Sequence, residues 1–249
     1  MDIGAMSHIG KVRDINEDSY CFLEKDYDLF IVADGLGGHS AGEVASLLAV
    51  DNIRDHIIKY ISVNMEKQLI KGIIYEAFHK ANENIYLYSK ENFFCDGMGT
   101  TATLALRIGS TLYIGHIGDS RAYIIRDNNI EQITLDHSLV AELIRSGNIT
   151  EAEAIKYPWK NIITRALGID ENIKVDIFTV SFLPRDILVL CTDGLSNFVD
   201  KYEIEKVALE VNDSNEVCER LVSMANKRGG YDNITVLVAK YNGRSTESR

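Results

Sequence analysis

The chain has 249 residues, 46% of them hydrophobic, which suits one large domain or two small ones with an ordinary buried core. Lys and Arg number 26 against 37 Asp and Glu, a formal net charge of −11 that argues against a nucleic-acid partner bound through its phosphates. Four cysteines (Cys21, Cys95, Cys191, Cys218) show no Cys-x-x-Cys pair, and no uncharged stretch reaches membrane-spanning length, so the expectation is a reduced cytoplasmic protein with no membrane partner.

Two prolines and no low-complexity stretch leave no internal boundary, so one domain is expected over 1–242, with a frayed polar tail, GRSTESR, over 243–249. Residues 20–34 alternate loosely and end in LFIVAD, the pattern of a strand pair. Over 41–61, Leu47, Val50, Ile53, Ile57 and Ile61 fall on one helical face, and a second helix over about 66–90 carries Ile70, Ile74, Phe78, Ala81 and Ile85 at the same spacing. The period then changes. TATLALRIGSTLYIGHIGDSRAYIIRDNNIEQIT reads as a meander of short strands turning at Gly109-Ser110 and at Asp127-Asn128-Asn129. Helical character returns over 138–157, ILVLCTDG is a strand cut off by Asp-Gly, and helices follow at about 201–209 and 214–227. Asp213 is the natural N-cap of the latter and Gly229-Gly230 its stop, before NITVLVAKY forms a last strand. Hairpin-linked strands with helices grouped in pairs argue an α+β layered fold.

Within FIVADGLGGHSAGEVASLLAV, GHSAG matches the Gly-x-Ser-x-Gly elbow of serine hydrolases. That elbow needs a strand running straight into the serine, followed by an acid and a histidine. Here Asp34 to His39 intervene before Ser40, and the last histidine in the chain is His137. A cysteine phosphatase needs an arginine six residues after its cysteine, where this chain has Tyr27, Thr101, Asn197 and Met224. A serine hydrolase and a cysteine phosphatase are therefore disfavoured.

Acidic residues instead mark strand ends: FIVAD34-Gly35, LYIGHIGD119-Ser120, ILVLCTD193-Gly194 and, opening a strand, Asp232-NITVLV. Each alone is an ordinary turn signal. In an antiparallel sheet, however, the end of one strand lies beside the start of the next, so Asp34, Asp119, Asp193 and Asp232 could share one edge. Converging carboxylates need protons or cations, and all-oxygen ligation selects hard ions such as Mg²⁺ or Mn²⁺. Arg13, with Glu17 and Asp18, precedes the first strand. Its guanidinium would fork onto a phosphate held by such ions, or else form a surface ion pair within RDINED.

RDINED (13–18), DGLGGHSAGEVAS (34–46), GMGTTATLAL (97–106), GDSRAY (118–123), the DHSL to ITRALG block (136–168), TDGLSN (192–197) and GGYDNITV (229–236) together resemble the metal-dependent Ser/Thr protein phosphatases of the 2C type, and in particular the small bacterial members. The resemblance covers about residues 3 to 241. It implies a four-layer α+β sandwich of two antiparallel β-sheets flanked by helix pairs. It implies hydrolysis of phosphoserine and phosphothreonine in proteins by a hydroxide bridging two Mn²⁺ or Mg²⁺ ions.

By position, the resemblance makes Asp34 the bridging ligand and the Gly35 carbonyl a ligand of the first ion. Asp193 and Asp232 hold the second ion, and Glu17 and Asp18 act through water. Arg13 binds the phosphate, and Asp119 with Asp193 holds a third, weaker ion. Residues of about 140–160 form a flap, which reads Tyr157-Pro158-Trp159 where a His-Pro pair is more usual. Leu36 stands where many eukaryotic members carry a histidine proposed as the general acid; the nearest candidate is His39, which could equally cap the following helix. Implied partners are phosphorylated substrates of a Ser/Thr kinase and the kinase itself, met by a monomer. A non-catalytic phosphoprotein-binding domain is the competing reading, and loss of a metal aspartate would be its signature.

Overall fold

A computed structural model describes residues 1–36, 41–154, 157–159 and 162–242. His39, Ser40 and the tail from 243 onward lie outside the described residues.

The chain opens with strands β1 (Asp2–His8), β2 (Asp18–Glu24) and β3 (Asp28–Leu36), followed by long helices α1 (Gly42–Tyr60) and α2 (Lys67–Glu91). A meander follows: β4 (Gly99–Thr100), β5 (Ala102–Ile108), β6 (Thr111–Ile117), β7 (Arg121–Arg126) and β8 (Asn129–Gln132). Short helices α3 (Leu139–Arg145) and α4 (Glu151–Ala154) lead to β9 (Asp176–Ser181) and β10 (Ile187–Cys191). The chain ends in α5 (Asp193–Ser196), α6 (Lys201–Glu210), α7 (Ser214–Lys227) and β11 (Ile234–Lys240).

The strands form two antiparallel sheets. One runs β1-β11-β10-β7-β8 and the other β2-β3-β5-β6-β9, with β4 paired to β3. Their inner faces make a shared core: Phe30, Val32 and Ile114 from one sheet meet Ile124, Leu190 and Leu237 from the other. The period-2 alternation of a strand sends the intervening residues outward. Thus Leu29, Ile31 and Ala33 of β3 pack under α1 and α2, and Val236 and Val238 of β11 pack under α6 and α7. Both faces of β3 and β11 are covered, which is why LFIVA and ITVLVA read as continuous apolar runs. The four-layer α+β sandwich is the observed architecture.

Local chemistry sets the helix ends. Asp213 caps α7 by accepting from the Glu216 amide at 2.9 Å, as expected, and Asp200 with Glu203 closes a capping box on α6. Lys240, at the end of β11, donates to the Ala208 carbonyl at 2.7 Å and to that of Val211, tying off the C-terminus of α6. Gly230 adopts φ 56°, and its carbonyl accepts from Lys11 at 2.7 Å, joining the N-terminal segment to the turn before β11.

Several expectations need correction. Leu47 is 55% exposed; the inward face of α1 is built from Ala45, Ala49, Val50, Ile53 and Ile57. The helical character over 138–157 is split into α3 and α4 around Ser146-Gly147-Asn148, with Gly147 at φ 74°, a backbone no long helix tolerates. Neither β1 nor β9 was anticipated; both are edge strands, half-exposed along most of their length, so neither carries a strong apolar pattern. The strand before the GHSAG match continues past Ala33 to Leu36, because Gly35 and Leu36 pair with Thr100 and Gly99. Ala41 occupies the N-cap position of α1. Among the described residues, no helix is long and apolar enough to cross a membrane.

Candidate metal centre

The acidic residues marked by strand ends gather at one end of the sandwich. β2 and β3 pair so that Asp18 stands opposite Asp34. In the other sheet β10 and β11 pair antiparallel, with Cys191 opposite Val236, so Asp193, just beyond β10, lies beside Asp232, just before β11. β6 ends at Ile117 opposite Ala102, which carries Asp119 back toward Thr101, the residue that clamps Asp34.

The backbone around Asp34 is tightly fixed. Its amide donates to the Thr101 hydroxyl at 3.0 Å, and its carbonyl accepts from the Thr101 amide at 2.9 Å and from the Thr100 hydroxyl at 2.8 Å. The Gly35 amide donates to the Glu17 carbonyl at 3.1 Å. A side chain at Gly35 would place its Cβ 2.2 Å from the Gly42 carbonyl oxygen, and one at Gly194 would lie 1.9 Å from that of Asn233. Both Asp-Gly steps therefore serve close backbone packing, not only the turn.

Electrostatics mark the cluster as unbalanced. Burial, then the charges of Asp18, Asp193, Asp119 and Asp232, push the Asp34 carboxyl well above its ordinary range. Burial raises Asp18 to about 7 against the pull of hydrogen bonds from Thr235 and Thr192, with Asp193 and Asp232 adding to the rise. Burial and then Asp193 raise Asp119 to about 8. Asp193 is raised by burial and by Asp232. Asp34 and Asp193 keep some solvent contact at the mouth of the site, which softens the burial contribution and leaves mutual repulsion as the firmer cause.

One oxygen of Asp18 accepts from Thr192 at 2.9 Å, while its Oδ1, like Asp119 Oδ1, is buried with no partner among the described residues. Among the described residues no three acidic, histidine or cysteine side chains form a ready-made cage. The case for cations rests instead on these orphaned carboxylate oxygens and on repulsion that the nearby guanidiniums of Arg121 and Arg13 only partly offset. Hard oxygen donors with surplus negative charge fit Mn²⁺ or Mg²⁺.

Arg121 is paired with Asp136, and Arg13 is the more exposed of the two. Its Nη2 lies 2.8 Å from Asp232 Oδ2 and its Nη1 4.0 Å from Glu17 Oε2, with the side chain 44% exposed. It thus pairs with the cluster and still faces solvent, where a phosphate would approach. Toward the flap, a cavity of about 300 Å³ lies between Asp119 and Asp193 on one side and Val140, Ala141 and Ile144 of α3 on the other.

Residues missed by sequence reasoning are the ones that hold the acids in place. Asn233 accepts from the Glu17 amide at 2.8 Å and donates to the Ile9 and Ile15 carbonyls at 2.9 Å, stapling the Arg13 loop to the start of β11. Asn197 donates to Asp193 Oδ2 at 3.0 Å. Thr101, Thr192, Asn197 and Asn233 all sit inside the motif blocks quoted above, next to or near the aspartates; that adjacency was the available signal.

A family model described as Protein phosphatase 2C matches residues 10–143. The chain is also 40% identical over 235 residues to the serine/threonine phosphatase stp of Listeria welshimeri, covering 94% of this chain and 93% of that one. The chain belongs to the protein phosphatase 2C family. Solved structures agree with the fold. The serine/threonine phosphatase Stp1 from Staphylococcus aureus superposes with a TM-score of 0.90 at 32% identity, covering 98% of this chain and 96% of that one. The catalytic domain of the serine/threonine protein phosphatase PstP, solved in complex with two manganese ions, gives 0.83 at 34% identity, with 96% of each chain covered.

Proposed function

We propose that residues 1–242 act as one phosphatase domain that hydrolyses phosphoserine and phosphothreonine in proteins, with its chemistry at the Asp34 cluster. The observation that carries this reading is the convergence of Asp18, Asp34, Asp119, Asp193 and Asp232 into one site where their carboxyls lack compensating charge, beside a solvent-facing Arg13.

Asp34 would be shared between two Mn²⁺ or Mg²⁺ ions, with the Gly35 carbonyl, Asp193 and Asp232 completing the ligands and Glu17 and Asp18 acting through water. Asp119 and Asp193 would hold a third, weaker ion. When bound, the ions lower the pKa of coordinated water and offset charge on the phosphoryl oxygens. Arg13 forks onto the remaining phosphate oxygens and holds the phosphorus in line for attack. Its ion pair with Asp232 fixes the guanidinium before substrate arrives, so less side-chain freedom is lost on binding. Thr100 and Thr101 keep the Asp34 backbone from moving as charge develops, which is the preorganisation that transition-state stabilisation requires. His39 is the proposed proton donor to the departing serine or threonine oxygen.

The partners in this reading are phosphoproteins of the cytoplasm, the Ser/Thr kinase that modifies them, and the phosphorylated kinase itself, met by a monomer. The test is hydrolysis of p-nitrophenyl phosphate and of a phosphothreonine peptide. Activity should vanish in EDTA and return with Mn²⁺ or Mg²⁺, and full turnover in chelator would exclude the two-ion mechanism.

A further inference from the structure

A second cluster of ligand-type side chains lies between α1 and α2, well away from the acidic end of the sandwich. α1 starts at Gly42, against Glu17, and His56 lies about four turns further along it, roughly 20 Å from that end at ~1.5 Å per residue. α2 runs antiparallel alongside, with Asn84 donating to Asn52 across the pair. This register brings His56 level with the stretch Glu76-Ala77-Phe78-His79, a Glu-x-x-His spacing that puts Glu76 and His79 on one face of α2. All three side chains line one cavity of about 750 Å³.

Both imidazoles present an unsatisfied atom. Among the described residues, His56 Nε2 and His79 Nε2 are each buried with no hydrogen-bond partner, an arrangement that a bound ligand would relieve. The Glu76 carboxylate is 3.8 Å from His56 Nε2, too far for a hydrogen bond, and lines the same cavity. Each ring packs on a tyrosine of its own helix one turn away, His56 on Tyr60 at 4.6 Å and His79 on Tyr75 at 4.2 Å between centroids, which fixes ring orientation. Burial is the main influence holding the His56 imidazole below its ordinary range, so it is the neutral, ligand-ready form near pH 7.

The cationic neighbours are otherwise occupied: Lys80 pairs with Glu83 at 2.6 Å, and Lys59 lies over the Tyr60 ring. The three side chains are not yet closed around one point. Glu76 is 70% exposed, and rotation of that flexible side chain would complete the set.

We propose that His56, Glu76 and His79 form a binding site for one divalent transition-metal ion of the Zn²⁺ class, clamping α1 to α2. Two imidazoles and one carboxylate suit Zn²⁺, leave a position for water, and differ in kind from the all-oxygen set at Asp34. The site is independent of the phosphatase reading, since none of its residues contributes to the Asp34 cluster.

The test titrates Zn²⁺ into the whole chain saturated with diamagnetic Mg²⁺, following the imidazole ¹⁵N resonances together with equilibrium dialysis. Because Zn²⁺ can also displace Mg²⁺ from the carboxylates, the informative quantity is the difference between wild type and the His56→Gln/His79→Gln double variant. The expected result is that the Nε2 signals of His56 and His79 move together. The double variant should bind one Zn²⁺ fewer, with Mn²⁺-supported hydrolysis unchanged. Either single His→Gln change should weaken binding by about tenfold or more, at least what loss of an outer-shell partner costs. Equal Zn²⁺ stoichiometry in wild type and double variant, or movement of only one imidazole, would overturn the proposal. The resonance measurement uses the unaltered chain, so it decides the matter even if a variant does not fold.

Discussion

Asp18 stands directly opposite Asp34 in the β2–β3 ladder, two carboxylates at facing positions of neighbouring strands. Like charges placed across a ladder oppose folding, and here burial adds to the opposition. Folded Asp18 and Asp119 hold their protons up to about 7 and about 8, whereas an unfolded aspartate releases its proton near 3.8. The stability these groups contribute is therefore full below the unfolded value and is lost as pH rises through the folded values. His116, whose imidazole is lowered to about 3 by burial, acts in the opposite sense but only below its ordinary 6.5. Between pH 6.5 and 8.5 the melting temperature of metal-free protein should fall. Saturating Mn²⁺ should raise the melting temperature and flatten that slope. A flat metal-free profile across this window would show that the carboxylates are already balanced without cations.

Asp34→Ala and Asp193→Ala should each reduce turnover by several orders of magnitude. Ser40→Ala should stay within about tenfold of wild type, a barrier change of roughly 1.4 kcal/mol. Steady-state kinetics on variants shown to be folded by circular dichroism settle the point, and equal losses at all three positions would return the serine to contention.

Arg13 reaches both Asp232 and solvent, so its loss should act on substrate binding. Arg13→Ala should mainly raise KM for a phosphopeptide, with a smaller fall in kcat. Unchanged kinetic constants would make the 2.8 Å contact with Asp232 a purely structural ion pair.

Asp119 has a buried, unpartnered Oδ1 and faces the cavity toward α3. Asp119→Ala should keep two Mn²⁺ ions by calorimetry yet lose most turnover, with little rescue by added Mn²⁺. Removing an unbalanced carboxyl should also leave the metal-free melting temperature equal or higher. A lowered melting temperature with normal turnover would assign Asp119 to the turn into Ser120.

What the sequence revealed depended on how strongly one requirement dominated locally. β3, α2, α7 and β11 were legible because burial on a fixed face writes a strong apolar period into the chain. β1 and β9 were not, since edge strands are held by backbone pairing that leaves little trace in side-chain type. The aspartates were legible from their abrupt position after apolar runs. Thr101, Thr192 and Asn233 were hidden because threonine and asparagine at a strand end are equally at home in a turn; only three-dimensional pairing shows that they hold the acids.

The Arg13–Asp232 contact joins residues 219 positions apart, and among the described residues the strand partner of β1 is β11. Until residues 232–240 have left the ribosome, β1 lacks that partner and the acidic cluster lacks one of its members. Closing so long a loop comes late and slowly. With the chemistry at this cluster, as proposed, catalytic competence is timed to the last steps of folding: an incomplete nascent chain, however well packed its α1–α2 half, would have nothing with which to dephosphorylate a neighbour.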